Sequence, residues 1–256
     1  MTAEVRILHL YPREMDINGD VGNVAALATR ARWRGIAVSV HDHHVGDTLP
    51  EQIDLVHIGS GPISSQRAVY DDLRTLAPAL RLLADDSVPF LAIAGGWQLL
   101  GSELVVTATE TLAGVGIFPS RAVLTPNRTV GEIVIKTENG FAAGFENHSA
   151  LTTLEHHARP FGTVVAGGGN TPNSSDVRYE GVVLGESIGT HLHGPLLPMN
   201  PALADRLLRA AMLHANPTAG QREPAEFTDS PEITRVDDYA SHAREAIAGR
   251  LGVQLY

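Results

Sequence analysis

The chain contains no cysteine in its 256 residues. That excludes disulfides, thiolate metal sites and a cysteine nucleophile in the sequence as it stands. It also has no apolar run long enough for a transmembrane helix, which needs about 18 consecutive residues. The start, MTAEVRILHL, lacks the basic region, apolar stretch and cleavage site of a signal peptide, so a cytoplasmic location is expected. Basic residues are outnumbered: the formal net charge is -10, which repels a phosphate backbone and argues against nucleic-acid binding. No GxxxxGK[ST] phosphate loop, internal repeat or low-complexity tract occurs.

What is present is an alternation of elements. Val5–Leu10, Ala37–Val40, Leu55–Ile58 and Phe90–Ile93 are short apolar runs suited to buried parallel strands. Between them lie helical stretches, Val24–Arg34 ended by Gly35, and a long one through Leu83 with Ser64 or Ser65 as cap. Pro78 is expected to kink or split the second. This order predicts an α/β fold, a mostly parallel sheet with helices on both faces. Beyond Leu112 shorter strands are expected at Val115–Phe118, Gly131–Ile135, Phe161–Val165 and Val182–Gly185. Helices are expected at Ala202–His214 and Asp237–Leu251, separated by a polar, Pro-rich linker. We therefore divide the chain into a main domain, 1–215, and a linker with a C-terminal helix, 216–256.

Two stretches carry chemistry. In Phe90–Gly101 an apolar strand meets Ala94-Gly95-Gly96-Trp97-Gln98 and then a helix-like segment, the pattern of a nucleophile elbow. There the side chain at position 94 is pushed out, and the N–H of Gly95 faces a developing oxyanion. Most α/β proteins contain some strand–glycine–helix junction, so the pattern alone does not decide. The second stretch is Thr190-His191-Leu192-His193-Gly194-Pro195. Histidines two apart on a strand share one face. No carboxylate or cysteine cluster accompanies them to favour a metal site, and the other reading is a general base near the elbow.

Together these stretches resemble the class I glutamine amidotransferases, whose elbow reads Cys-x-Gly-x-Gln with a distant activating histidine. Ala94 stands at the cysteine position. The triad glutamate expected two residues after the histidine is missing, since Gly194 and Pro195 follow His193. That resembles the subgroup related to cobyric acid synthase, which works with a Cys–His dyad. Within it, the chain resembles the glutaminase subunits of lipid II isoglutaminyl synthase. The motifs are Gly19-Asp20-Val21-Gly22-Asn23, Arg128 ahead of Gly131-Glu132-Ile133-Val134, Gly144-Phe145-Glu146-Asn147-His148, and Leu192-His193-Gly194-Pro195.

The resemblance implies a flavodoxin-like fold, no cofactor, and glutamine as ligand. It implies that Gln98 and Arg128 hold glutamine, with the arginine on its α-carboxylate, that His193 is the base, and that Gly95 with the Gly59–Gly61 loop forms the oxyanion hole. On residue type alone Arg128 reads as a solvated loop charge, and Gly61 as part of a strand-ending turn. The implied partner is a Mur-ligase-like ATP-dependent synthetase, with Asp237–Leu251 as a docking element or as a helix packed on its own domain. Departures from the family are Pro62-Ile63-Ser64, where an acidic residue is usual, and Ser149-Ala150, where glycine usually follows His148. Ala94 is then either an engineered Cys→Ala change or a natural loss. The alternatives are a non-catalytic structural, regulatory or binding subunit, or a subunit amidating another acid such as a cobyrinic acid.

Overall fold

The computed structural model describes residues 4–155, 157–172, 177–216 and 230–255. Its first part is β1 (Glu4–Leu10), α1 (Val21–Trp33), β2 (Ala37–His43), β3 (Leu55–Ile58), α2 (Ile63–Asp85), β4 (Phe90–Ile93) and α3 (Gly95–Leu100). Then come β5 (Glu103–Thr107), β6 (Glu110–Ala113), β7 (Ser120–Thr137), β8 (Gly140–Leu154), β9 (Gly162–Ala166) and β10 (Tyr179–Glu180). The chain ends with β11 (Val182–Leu184), β12 (Ser187–Thr190), β13 (Leu192–His193), α4 (Leu196–Met199), α5 (Pro201–Ala215) and α6 (Pro231–Arg250).

The expected α/β architecture is present as a six-stranded sheet in the order β11-β12-β4-β3-β1-β2. All its pairings are parallel except the β11–β12 edge. β3 and β4 are buried along their whole length, as strands covered on both faces must be. One apolar cluster joins α1 and α5 to one face, and another joins α2 to the other. A second, seven-stranded sheet is built on the long β7–β8 hairpin, with β13 added to β8.

Several expectations are corrected. Val115–Phe118 is not a strand: the Val115 and Ile117 N–H groups bond Leu99 and Leu100 carbonyls, closing the end of α3. Gly131–Ile135 is not a separate short strand but part of the 18-residue β7. Neither serine caps α2, which starts at Ile63 with Pro62 before it and no side-chain cap. Pro78 does not split α2: it lies on the exposed face, where water can solvate the carbonyl it leaves unbonded. The linker expected after Asn216 falls largely outside the described residues.

The C-terminal helix packs on the rest of the chain. α6 buries Ile233, Ala240, Ile247 and Ala248. The buried Arg30 of α1 bonds Asp205 of α5 at 2.8 Å and Asp237 of α6 at 2.6 Å, tying three helices through one planar guanidinium. Among the described residues, no helix is long and apolar enough to cross a membrane.

Candidate functional site

The site forms where the carboxyl ends of the parallel strands meet the second sheet, a usual place for ligands in open α/β sheets. β4 ends at Ile93 and the chain turns into α3 through Ala94, at φ 40 and ψ -100. Few non-glycine residues adopt a positive φ, and holding one there costs on the order of 1–3 kcal/mol. The strain is imposed from both sides: the Ala94 N–H bonds the Thr190 carbonyl of β12 at 2.7 Å, and its carbonyl accepts from the Gln98 N–H at 2.8 Å. The next two residues must be glycine because backbone crowds them. A Cβ on Gly95 would lie 2.9 Å from the Gly61 carbonyl, and one on Gly96 would lie 2.5 Å from the Gly59 carbonyl. The Gly59–Gly61 loop is therefore packed directly against the elbow.

His193, on β13, is fully buried. Its Nδ1 lies 3.0 Å from Asp20 Oδ1 and 3.2 Å from Oδ2, while its buried Nε2 has no partner among the described residues. A carboxylate on Nδ1 fixes the ring's orientation and tautomer, leaving Nε2 to exchange a proton. A carboxylate thus meets the expected histidine, and it comes from the loop before α1 rather than from the segment after His193. The same carboxylate accepts from the Ser60 N–H at 2.9 Å, and Ser60 Oγ accepts from the Gly95 N–H at 3.2 Å. Burial pushes the Asp20 carboxyl up, against the opposing pull of His193 and the Ser60 N–H.

The two histidines of the Thr190–Pro195 stretch serve separate networks. The chain leaves the first sheet after Thr190 and joins the second at Leu192, so His191 and His193 do not share a strand face as expected. His191 Nδ1 bonds Glu180 at 3.0 Å, and its ring stacks on His148 at 3.9 Å and tilts against Trp97 of α3. Burial, then the neighbouring His148, push His191 down to about 4. Burial alone would raise Glu180, but His191, through its ring and its backbone N–H, and the Thr190 hydroxyl hold it below the usual carboxylate range. The Glu180 carboxyl thus accepts from the Thr190 hydroxyl, the His191 N–H and the His191 ring, a buried hydrogen-bonded network behind the elbow.

Gln98 is buried beneath the elbow, where its Oε1 accepts from Gln66 Nε2 at 3.2 Å. Gln66 Nε2 also reaches the Gly61 carbonyl at 3.1 Å, linking the helix after the elbow to the glycine loop. Arg128 is exposed at a break in the β7–β8 register between Leu124 and Thr129. Its Nη1 bonds Asn147 Oδ1 at 2.5 Å, and Asn147 Nδ2 bonds Asn18 Oδ1 at 3.2 Å. The structure thus gathers Ala94, Gly95, Gly61 and His193 around the elbow, places Gln98 beneath it, and hangs Arg128 on the adjoining sheet. The sequence assigns no role to Asp20, Gln66 or Asn147, and Ser60 enters only as part of the Gly59–Gly61 loop. Asp20 and Asn147 lie within the sequence motifs, the one signal pointing to them.

The family of CobB/CobQ-like glutamine amidotransferase domains matches residues 6–201. The GatD subunit of lipid II isoglutaminyl synthase (glutamine-hydrolyzing) from Staphylococcus aureus is 33% identical, over 81% of this chain and 84% of that protein. Its counterpart from Streptococcus pneumoniae is 34% identical, over 82% of this chain and 81% of that protein. The fold is also similar to a solved glutamine amidotransferase of Thermotoga maritima, with a TM-score of 0.52 at 14% identity, covering 96% of this chain and 94% of that one.

Proposed function

The chain belongs to the CobB/CobQ-like glutamine amidotransferase family, and from that premise we propose that it is the glutamine-binding subunit of a lipid II isoglutaminyl synthase. The reading is supported by its likeness to two GatD subunits over most of its length. In it, position 94 is the nucleophile position, and the chain as written binds glutamine without hydrolysing it. One observation carries this: a strained, side-chain-bearing elbow at Ala94 accompanies a buried histidine whose Nδ1 is held by a carboxylate and whose Nε2 has no partner among the described residues. A helix start has no need of that strain, whereas a nucleophile must be held out of the backbone's path.

The chemistry follows from the geometry. With a thiol at position 94, His193 takes its proton and the sulfur attacks the carboxamide carbon of glutamine. The tetrahedral oxyanion takes the Gly95 N–H, which Ser60 Oγ now accepts, together with a donor of the Gly61 loop. Protonated His193 then gives its proton to the departing ammonia, and water cleaves the thioester to glutamate. Alanine lacks the attacking atom, so this sequence stops at the bound complex. Gln98 shapes the floor of the site, and Arg128 pairs with the α-carboxylate in a planar two-point contact.

Ammonia is mostly protonated at neutral pH, so it is useful only when delivered directly to an activated carboxylate. We assign that carboxylate to a Mur-ligase-like, ATP-dependent partner acting on the D-glutamate of lipid II. Co-expression with such a ligase, followed by size-exclusion chromatography, should give one co-eluting species. Elution of the chain alone at micromolar concentration contradicts the subunit reading. A second reading, a naturally non-catalytic regulatory subunit, is favoured by the drift at Pro62-Ile63-Ser64, where the chain enters α2 beside the elbow.

A further inference from the structure

We propose that Asn147 is a positioning residue, which aims Arg128 at the α-carboxylate of the bound amino acid and, through Asn18, couples it to the loop that orients His193. The proposal rests on the glutamine-binding reading above.

The motif Gly144-Phe145-Glu146-Asn147-His148 alternates about β8. Glu146 and His148 are buried, while Phe145 and Asn147 are half-buried on the opposite face. Phe145 pairs directly with His193 across the β8–β13 ladder, so Phe145, Asn147 and His193 share that face. Asn147 lies two residues further along β8, about 7 Å of strand rise. The amide carbon and α-carboxylate carbon of an extended glutamine are four C–C bonds apart, roughly 5 Å. An arginine suspended from Asn147 is therefore at the right range for the far end of a glutamine whose amide sits at the elbow.

The chemistry of the contact explains why the residue is an asparagine. Arginine carries five N–H donors and no acceptor. Asn147 takes one nitrogen, Nη1, through its side-chain oxygen at 2.5 Å and its carbonyl at 3.4 Å. It leaves the guanidinium's other donors for a ligand, and being neutral it leaves the charge unspent. Among the described residues, Arg128 forms no ion pair. An aspartate at 147 would instead neutralise the cation and compete with the ligand.

The other half of the amide donates to Asn18 Oδ1 at 3.2 Å. Asn18 sits at φ 60 in the turn before α1, two residues ahead of Asp20, the carboxylate on His193 Nδ1. One short loop thus anchors both the arginine that meets the ligand's charge and the histidine that meets its amide.

The test is a binding cycle with the chain as it stands, using titration calorimetry. The ligands are glutamine and glutaminamide, in which the α-carboxylate is an uncharged amide. Asn147→Ala should weaken glutamine about tenfold and leave glutaminamide within about twofold. Asn147→Asp should weaken glutamine further. In an Arg128→Ala background Asn147→Ala should add nothing, because its effect passes through the arginine. Equal losses for both ligands on Asn147→Ala, or additive losses in the double variant, overturn the proposal. So does unchanged glutamine binding by Asn147→Ala when Arg128→Ala binds weakly, an outcome that leaves the Arg128 reading intact. Unchanged binding by Arg128→Ala itself removes that reading and the proposal with it. Asn18→Ala leaves the Arg128 contact in place and should give a smaller, glutamine-specific loss.

Discussion

Ala94→Cys should turn this chain into a glutaminase, with ammonia release rising on the order of 10³-fold or more above background. The expectation comes from what surrounds the position. The elbow already holds φ 40, so a cysteine inherits an existing conformation. His193 is oriented by Asp20, and its Nε2 is buried with no partner among the described residues, as a group awaiting a thiol should be. The Gly95 N–H ends on a serine hydroxyl, which an oxyanion replaces at little cost. Release of ammonia should be followed with glutamine in excess, with and without the synthetase partner. A folded Ala94→Cys protein that stays inert with its partner would show that the loop at Pro62 and Ile63 no longer supports catalysis. The second reading, a non-catalytic subunit, would then stand.

Asp20→Asn, made in the Ala94→Cys protein, should lower kcat on the order of 10²–10⁴-fold and leave KM for glutamine little changed. An asparagine oxygen can still accept the Ser60 N–H that Asp20 Oδ2 accepts now, so the loop keeps its anchor. What changes is the partner of His193 Nδ1. A neutral amide no longer stabilises an imidazolium, and its NH₂ group can turn the ring into the tautomer with the proton on Nε2. That tautomer cannot receive a proton from a thiol. The separation of kcat from KM distinguishes this from general damage to the fold. A variant within about twofold of its parent in kcat would leave His193 working in an unaided dyad, as the family resemblance implies.

The parts of the site that sequence made legible are those in which neighbours along the chain do the work. Phe90–Ile93 followed by Ala94-Gly95-Gly96 announces a buried strand, a tight turn and a close approach of backbone, and β4 covers Phe90–Ile93. The carboxylate on His193 Nδ1 is not legible from local spacing. The family spacing places it just after His193, where Gly194 and Pro195 stand, and it arrives from 173 residues earlier, in a loop of turn-forming residues. Gln66 was hidden for a related reason: on a helix it is one polar residue among many, and only packing brings it to both Gln98 and Gly61. The β7–β8 hairpin was underestimated because Pro126, Asn127 and Gly131 resemble turn residues. A register break between Leu124 and Thr129 lets one strand carry them. Val115–Phe118 has a strand's composition, but its backbone is spent on closing α3.

The central claim is that a glutamine site survives around a position with no nucleophile. Titrating the unaltered chain with glutamine, while assaying the same solution for glutamate and ammonia, tests it most directly. The account predicts saturable binding with the glutamine recovered intact. No binding at millimolar glutamine, or glutamate formation that is abolished by His193→Ala, would contradict it.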